Sequence, residues 1–357
     1  MAEKTMLEKL KEGVKEAIQL CKEAGIKSIM ITGDHPLTAQ AIAHQIGLKD
    51  AQAVTGMEIE KMSEKHMQTV VREHSIFARA SSAHKVKILK ALQANGDIVA
   101  MTGDGINDAP ALKNANVGVA MSLKGTDVSR DAADMVLTDD HYASIVAAIE
   151  QGRIVYDNIK RFVNYLLSAN AAEVGVILVA LLFGLPLPLL PIHILWINLM
   201  TDSWPALALG AEKGSKDIMK RKPRDPKENF MKGLKGIIVI TGIVGTLVTL
   251  GIFQWELMQG SSYMKATTMA LTTLIIFEVL RAYSCKSRRP FTNLLTNKWL
   301  HIAVLVSIIL QLAILYTPLN VAFKVEPLAL ADWGKILVLA FVGYIILEIS
   351  KLFGKGR

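Results

Sequence analysis

Cysteine is almost absent from this sequence, which has only Cys21 and Cys285 in 357 residues. Two cysteines this far apart cannot form a disulfide framework or a CxxC metal site. Charged residues are also scarce, at 20%, whereas hydrophobic residues make up 51%. Because soluble domains of this length are rarely so apolar, the composition indicates that part of the chain crosses a membrane.

The pattern of a secretory signal is also lacking at the start of the sequence. Residues 1–24 have the charged, amphipathic pattern of a helix, so insertion is expected to depend on internal apolar segments. The formal net charge of +8 raises the question of a nucleic-acid partner. We expect no nucleic acid, because most basic residues beyond position 160 lie in connections between apolar segments.

Six apolar segments in the second half are long enough to cross a bilayer, which takes about 20 helical residues. The connections after the second and fourth segments, and the C-terminal tail, hold most of the basic residues there. The positive-inside rule therefore predicts that these connections and both termini are cytoplasmic. We expect a cytoplasmic α/β portion over residues 1–150, and a stalk with six transmembrane helices over residues 151–357. The predicted spans are about 163–183, 189–210, 235–256, 266–284, 299–317 and 333–353.

The first two predicted spans contain polar side chains at helical spacing, which are costly inside a membrane and usually functional. All of them offer oxygen, and such donors suit a hard cation such as Ca²⁺ better than Cu⁺ or Zn²⁺. Asn and Thr also serve as interhelical hydrogen-bonding groups, but two carboxylates on adjacent spans favour a cation site. Pro205 predicts a broken helix beside the second group. The five residues are Asn170, Glu173, Asn198, Thr201 and Asp202.

Polar residues in the later spans are weaker candidates. Glu278 in the fourth span is a weaker candidate ligand for the same cation. Gln311 and Glu348 are expected to be structural or interfacial.

Residues 1–150 alternate helical and strand patterns, which is typical of a parallel α/β sheet. Two predicted strands end in similar letters, "TGD" at 32–34 and "TGDG" at 102–105. Ligands bind at the carboxyl ends of such strands, where hydroxyl and amide groups can hold phosphate and carboxylates can hold Mg²⁺. Lys85 is either a solvated surface lysine or the charge partner of a phosphorylated carboxylate.

Longer segments, such as "MTGDGINDAPALKNANVGVAM" and "ILWINLMTDSWPALALG", are more specific than these short motifs. Through them the chain resembles the P-type cation-transporting ATPases, and within that family the calcium pumps. The resemblance covers nearly the whole chain from about residue 13. It implies an α/β haloacid-dehalogenase-like, Rossmann-type partial domain followed by an all-α bundle of six transmembrane helices. The segments that carry it include "MITGDHPLTAQAIAHQIGL", "MTGDGINDAPALKNANVGVAM", "GTDVSRDAADMVLTDDHYASIVAAIEQGRIVYDNIKRF" and "ILWINLMTDSWPALALG".

The resemblance also implies roles for the motif residues, with ATP as substrate, Mg²⁺ as cofactor and Ca²⁺ as the transported ion. The five polar residues of the first two spans would bind Ca²⁺. The residues that would meet nucleotide and phosphate are Thr32, Gly33, Asp34 and Lys85. The residues that would form the catalytic Mg²⁺ site are Lys85, Asp104 as metal ligand, Asn107 and Asp108.

The chain also departs from the family's pattern. It has no DKTGT motif, which in this family contains the phosphorylated aspartate, so this chain alone is expected to be inactive. The actuator domain, the nucleotide-binding domain and the first four spans are expected partners in a longer pump. Arg288 falls where two-site calcium pumps have a further ligand glutamate, which predicts one Ca²⁺ per cycle.

Three other interpretations remain open from the sequence. The chain could be a non-catalytic membrane protein that assists or regulates a full pump. It could be a phosphatase of the same fold joined to a membrane anchor, or part of a pump for Mn²⁺ or a monovalent cation. The expected location is a bacterial plasma membrane, as a multi-pass protein.

Overall fold

The structure, a computed structural model, describes residues 6–48, 52–287, 290–292 and 296–353. The chain divides into two compact units. The first unit comprises Met1–Arg153 and Ser215–Lys227, and the second comprises Ile154–Gly214 and Glu228–Arg357.

The first unit alternates short strands with helices, and several helices begin at residues suited to capping. Thr55, Ser63, Ser81 and Thr126 each accept a backbone N–H from the first turn of the helix that follows. The strands are β1 Met30–Ile31, β2 Val54–Thr55, β3 Ile76–Ala78, β4 Ala100–Gly103, β5 Val117–Met121 and β6 Met135–Leu137. The helices are α1 Met6–Glu23, α2 Pro36–Gln45, α3 Gly56–Lys61, α4 Glu64–Glu73, α5 Ser82–Ala94, α6 Ala109–Asn114 and α7 Asp127–Asp131.

The strands of the first unit are parallel, but they form two sheets where the sequence predicts one. Three strands pair in the order β1-β3-β2, and the other three in the order β4-β5-β6. Strands β1 and β4 each have one partner strand among the described residues. Ile31 of β1 nevertheless packs against the core cluster that contains Met101 of β4 and Leu112 of α6, so the two sheets share apolar contacts.

The second unit is helical, and its first helix continues from the first unit. Helix α8 has 41 residues and contains no proline, so nothing in it interrupts the backbone hydrogen bonds. Five helices of the described residues are long and apolar enough to cross a membrane, namely α8, α11, α12, α13 and α15. The helices are α8 Tyr142–Leu182, α9 Pro191–Trp196, α10 Ser203–Gly210, α11 Lys235–Met258, α12 Tyr263–Cys285, α13 Lys298–Tyr316, α14 Leu319–Phe323 and α15 Leu330–Phe353.

The second predicted span, 189–210, is not one continuous helix. It consists of α9, a π-helical turn over Ile197–Thr201, and α10. Pro205 has no N–H to give to the carbonyl of Thr201, four residues earlier. The hydroxyl of Ser307 donates to that carbonyl instead, at 2.8 Å. The proline therefore accounts for the interruption, as the sequence predicts, and a neighbouring helix satisfies the freed carbonyl.

Helix α12 lies at the centre of the second unit and is the most buried of the five long helices. Its Phe277 contacts glycines on two neighbours, because a Cβ atom at Gly245 of α11 or Gly343 of α15 would lie 3.0 Å from the Phe277 ring. Small residues at such crossings let helix backbones approach closely. The polar residues of α12 are consequently surrounded by protein on most sides.

In the first unit, the hydrogen bonds that the Glu58 carboxylate accepts can be tested through their pH dependence. Glu58 accepts the backbone N–H and the hydroxyl of Thr55, both at 2.7 Å, and these bonds hold the pKa of the Glu58 carboxyl below its ordinary 4.5. A depressed pKa means that the bonds stabilise the fold above pH 4.5 and are lost as the pH falls through the folded-state value. We expect hydrogen-exchange protection at the start of α3, corrected for intrinsic rates, to fall on acidification below pH 4.5.

The substitution Glu58→Gln removes the titration and should leave this protection independent of pH in the acidic range. Helix α4 is an internal control, because its cap is the hydroxyl of Ser63, which does not titrate. An equal loss of protection in the wild type and in Glu58→Gln would contradict the prediction.

Candidate functional site

The turn after β4 places Asp104 through backbone hydrogen bonds to Asp108. The N–H groups of Asp104 and Gly105 both donate to Oδ2 of Asp108, at 3.2 and 3.3 Å. Lys85, in the first turn of α5, forms an ion pair with Oδ1 of the same carboxylate. Asp108 is 5% exposed, so this carboxylate is an internal anchor for the turn.

Gly103 is required by the same anchor. A Cβ atom at this position would collide with the Asp108 side chain, including its Cγ at 2.8 Å. A side chain here would therefore displace Asp108 and the turn that it holds. Packing against Asp108 thus explains why the first glycine of the "TGDG" motif, Gly103, has no side chain.

The carbonyl group of Asp104 is held from the opposite side. It accepts the N–H of Thr126 at 3.1 Å and the hydroxyl of Ser129 at 3.3 Å. The carboxylate of Asp104 is exposed and forms no hydrogen bond or ion pair within the part of the chain that the structure describes. A positioned backbone with a free carboxylate fits the oxygen donors that Mg²⁺ prefers. Asn107, also exposed, lies in the same turn.

The turn at Thr32–Asp34 follows β1 and is held by the segment after β3. The carbonyl groups of Thr32 and Asp34 accept the N–H groups of Ala80 and Arg79, each at 3.0 Å. The hydroxyl of Thr32 accepts the N–H of Asp34 at 3.1 Å. Gly33 and Asp34 are exposed. No hydrogen bond among the described residues joins this turn to Asp104. The structure thus joins Lys85, Asp104 and Asp108 at the turn after β4, and leaves the predicted residues of the Thr32–Asp34 turn apart from them.

Three of the buried carboxylates in the second unit lie within electrostatic range of one another. Glu173, Asp202 and Glu278 are 3%, 1% and 1% exposed, and Glu278 lies within electrostatic range of the other two. Asn198 donates to Oε2 of Glu173 at 2.7 Å, which joins the first two predicted spans. Tyr165 of α8 donates to Oδ1 of Asp202 at 2.9 Å.

These three carboxylates are only partly satisfied. Oε1 of Glu173, Oδ2 of Asp202 and both carboxylate oxygens of Glu278 are buried without a hydrogen-bond partner within the described residues. A buried carboxylate oxygen without a partner is costly, so such a group points to a bound cation or a proton. Oxygen donors of this kind fit a hard cation such as Ca²⁺.

The arrangement is not a closed cage. Within the described ranges, no group of three or more His, Cys, Asp or Glu side chains is spaced to hold a metal ion. Cation binding here would need further donors, such as Asn198, Thr201 and backbone carbonyls near the π-helical turn. Thr201 is buried, and its hydroxyl donates to the carbonyl of Ile197 at 3.2 Å.

The structure does not bring Asn170 to the other predicted ligands. Its side chain is exposed, and its amide donates to the carbonyl of Leu166 on its own helix at 2.8 Å. Tyr165 was missing from the sequence-based set, although it lies on α8 eight residues before Glu173. Glu278, ranked lower from sequence, lies beside the other carboxylates because α12 is central.

A buried guanidinium lies one turn after Glu278. Arg281 is 1% exposed and donates to hydroxyl groups of Thr241 at 3.2 Å and Ser168 at 3.3 Å, and to Cys285 Sγ at 2.6 Å. It forms no ion pair within the described residues. The sequence argument for stoichiometry used Arg288, which lies outside the described residues.

Gln311 and Glu348 have structural contacts, in keeping with the sequence-based expectation. Gln311 accepts from Trp196 at 3.3 Å and donates to Thr272 at 3.0 Å, linking three helical segments. Glu348 pairs with Lys351 at 2.6 Å.

The Asp108 anchor can be tested by stability. The substitution Asp108→Ala leaves Lys85 and two N–H groups without their acceptor, and breaking a mostly buried pair of this kind costs about 3 kcal/mol. Asp127 is the matched control, since its pair with Arg130 lies at the surface and its side chain is 90% exposed. Asp127→Ala should cost less than about 1 kcal/mol.

The measurement is the opening free energy of β4 and β5 from native-state hydrogen exchange. Equal losses for Asp108→Ala and Asp127→Ala would contradict the assignment of Asp108 as the internal anchor.

Comparison with known families agrees with this geometry. Residues 186–353 match the family described as "Cation transporting ATPase, C-terminus", and residues 2–116 match the haloacid dehalogenase-like hydrolases. These matches confirm the predicted fold class, a partial α/β domain of the haloacid dehalogenase type followed by a helical membrane bundle.

Curated relatives cover almost the whole chain. A "Calcium-transporting ATPase 1" of Bacillus cereus is 41% identical over 98% of the chain and 42% of its own length. A "Calcium-transporting ATPase" of Bacillus subtilis is 43% identical over 96% of the chain and 39% of its length. A "Calcium-transporting ATPase type 2C member 1" of Mus musculus is 41% identical over 97% of the chain and 38% of its length.

The chain spans about two fifths of the length of these relatives. Its apolar helices identify it as an integral membrane protein. Together, the two family matches and the identity of about 40% over nearly the full sequence show that this chain belongs to the P-type cation-transporting ATPases.

Proposed function

We propose that this chain is part of an ATP-driven pump that moves Ca²⁺ across a membrane. The observation that carries the proposal is the set of buried, unpartnered carboxylate oxygens on Glu173, Asp202 and Glu278. Such groups in a membrane-spanning bundle mark an ion pathway. Relatives named calcium-transporting ATPases support Ca²⁺ as the ion.

The number and charge of the donors favour a divalent cation over a monovalent one. The three carboxylates form no ion pair among the described residues, and the Arg281 guanidinium donates to other groups. One Ca²⁺ ion brings two positive charges to such a cluster, whereas one Na⁺ or K⁺ ion brings one, which compensates less of the negative charge in a low-dielectric environment. Mn²⁺ also accepts oxygen donors and remains the competitor to be tested.

In the first unit, we propose that Asp104 is the Mg²⁺ ligand and that Lys85 contacts the transferring phosphoryl group. Bound Mg²⁺ would offset the charge of that group. Asp108 holds Asp104 in place through two N–H groups, and Asn107 lies at the same turn. The Thr32–Asp34 turn, with its exposed Gly33 and Asp34, would meet nucleotide and phosphate.

The aspartate that accepts phosphate must come from outside this sequence, because the chain has no DKTGT motif. Strands β1 and β4 each have a single partner among the described residues, so each can pair with a further strand. We propose that a parallel strand from the preceding part of the pump pairs there and brings the nucleophile to the carboxyl ends of β1 and β4.

The exposed amide of Asn170 supports additional membrane spans as partners. An amide facing lipid is costly, and α8 is apolar around it. We propose that spans outside this sequence cover this face and that Asn170 joins the Ca²⁺ ligands only in the complete pump. The actuator and nucleotide-binding domains would be supplied by the same longer protein.

The distribution of basic residues supports a cytoplasmic location for both termini. The connection between α10 and α11 contains Lys213, Lys216, Lys220, Arg221 and Lys222 among other basic residues. Basic connections of this kind stay on the cytoplasmic side. We propose a bacterial plasma membrane as the host membrane.

The substitution Asp202→Asn in the full-length pump tests the ion site. It removes one charge from the carboxylate cluster but leaves the turn at Asp104 untouched. We expect Ca²⁺-dependent phosphorylation by ATP to be abolished, while phosphorylation by inorganic phosphate without Ca²⁺ survives. Phosphoenzyme formation, measured with radiolabelled ATP or phosphate, distinguishes the two.

Asp225→Asn is the matched control, because Asp225 lies exposed in the loop and, among the described residues, bonds only the N–H of Lys227. It should retain full Ca²⁺ activation. Normal Ca²⁺ activation in Asp202→Asn would refute the ion site. A panel of cations, with Mn²⁺ included, then settles selectivity in the same assay.

The stoichiometry is a prediction from the sequence, in which Arg288 falls where two-site calcium pumps have a further ligand glutamate. We therefore expect one Ca²⁺ bound per phosphoenzyme formed. The measurement is bound ⁴⁵Ca²⁺ divided by phosphoenzyme in the full-length pump. A ratio near two would overturn the prediction and show that further carboxylates contribute.

A further inference from the structure

Asp140 holds three consecutive backbone N–H groups with one carboxylate. Its Oδ1 accepts from Ser122 at 2.7 Å and Leu123 at 3.1 Å, and its Oδ2 accepts from Lys124 at 2.8 Å. Asp140 has a φ of 53°, in the left-handed region that aspartate and asparagine adopt more readily than most residues. The residue lies between β6 and α8, far in sequence from the loop that it binds.

The other end of that loop holds Asp104. Residues 122–126 connect β5 to α7, and at their end Thr126 donates its N–H to the Asp104 carbonyl at 3.1 Å. Ser129, in the first turn of α7, donates to the same carbonyl at 3.3 Å. The loop is therefore tied to Asp140 at its start and to the proposed Mg²⁺ ligand at its end.

The loop between these two ends is braced and tightly turned. Arg130 donates through Nη1 to the carbonyls of Ser122 at 2.8 Å and Gly125 at 2.9 Å. A Cβ atom at Gly125 would collide with the carbonyl of Met121, so the chain passes close to itself. A braced loop transmits a displacement at one end to the other end, because it has little freedom to absorb it.

We propose that Asp140 is a positioning residue for Asp104, acting through the loop 122–126; the inference rests on the proposed function of Asp104 as the Mg²⁺ ligand. Asp140 does not touch Mg²⁺ or phosphate. It holds three N–H groups whose loop supports the Asp104 carbonyl, while Asp108 holds the Asp104 N–H. Partners of metal ligands that act in this way tune metal affinity.

The test is the Mg²⁺ concentration that gives half-maximal phosphorylation by inorganic phosphate in the full-length pump. Asp140→Asn keeps the backbone preference but removes the charge and one acceptor, and Asp140→Ala removes all acceptors. We expect each substitution to raise the half-maximal Mg²⁺ concentration, by about tenfold for Asp140→Ala. The Ca²⁺ concentration for half-maximal activation should stay at the wild-type value.

Asp139→Asn is the matched control. The oxygens of Asp139 accept from Ser144 at 2.6 Å and from the N–H of His141 at 3.1 Å, at the start of α8, and bind none of the loop N–H groups. It should leave the Mg²⁺ dependence at the wild-type value. An unchanged Mg²⁺ dependence in both Asp140 variants, or an equal change in Asp139→Asn, overturns the proposal.

Hydrogen exchange on this chain in detergent tests the link from Asp140 to Asp104 independently of the proposed function. In Asp140→Ala we expect faster exchange at Ser122–Lys124, at Thr126 and at the Asp104 turn, and wild-type exchange there in Asp139→Ala. If the wild-type pump is never phosphorylated, the proposed function fails, and the exchange still decides the link from Asp140 to Asp104. Wild-type exchange at Thr126 and at the Asp104 turn in Asp140→Ala overturns that link.

Discussion

The burial of three carboxylates inside an apolar helical bundle is the constraint on which the second unit depends. Glu173, Asp202 and Glu278 are buried among these helices, and four of their oxygens have no partner among the described residues. An arrangement of this kind is stable only when positive charge compensates it. Within the described ranges, Arg281 donates to Thr241 and Ser168 and not to these carboxylates, so a bound cation or a proton would have to provide that charge.

The helix of the second predicted span is interrupted beside this carboxylate cluster. Pro205 cannot donate to the Thr201 carbonyl, and the π-helical turn places Asp202 at the interruption. Ser307 satisfies the freed carbonyl, so the interruption costs little within the bundle.

In the first unit, the backbone of Asp104 is held in place while its carboxylate has no partner among the described residues. The backbone of Asp104 is held on both sides, by Asp108 and by Thr126 with Ser129, so its side chain needs no partner within the chain. The two parallel sheets, each ending in a strand with a single partner, are consistent with a site that another segment completes. Preorganisation of this kind reduces the cost of binding a metal ion.

The sequence alone determined the features that depend on local pattern and composition. Apolar length predicted the membrane helices, Pro205 predicted the break, and the "TGDG" motif located the turn with Asp104. Only the tertiary structure decided which residues meet. Tyr165 and Glu278 joined the cluster while Asn170 stayed exposed, and the six strands formed two three-stranded sheets. Helical spacing tells which residues share a face, but non-local packing selects the face that meets a neighbour.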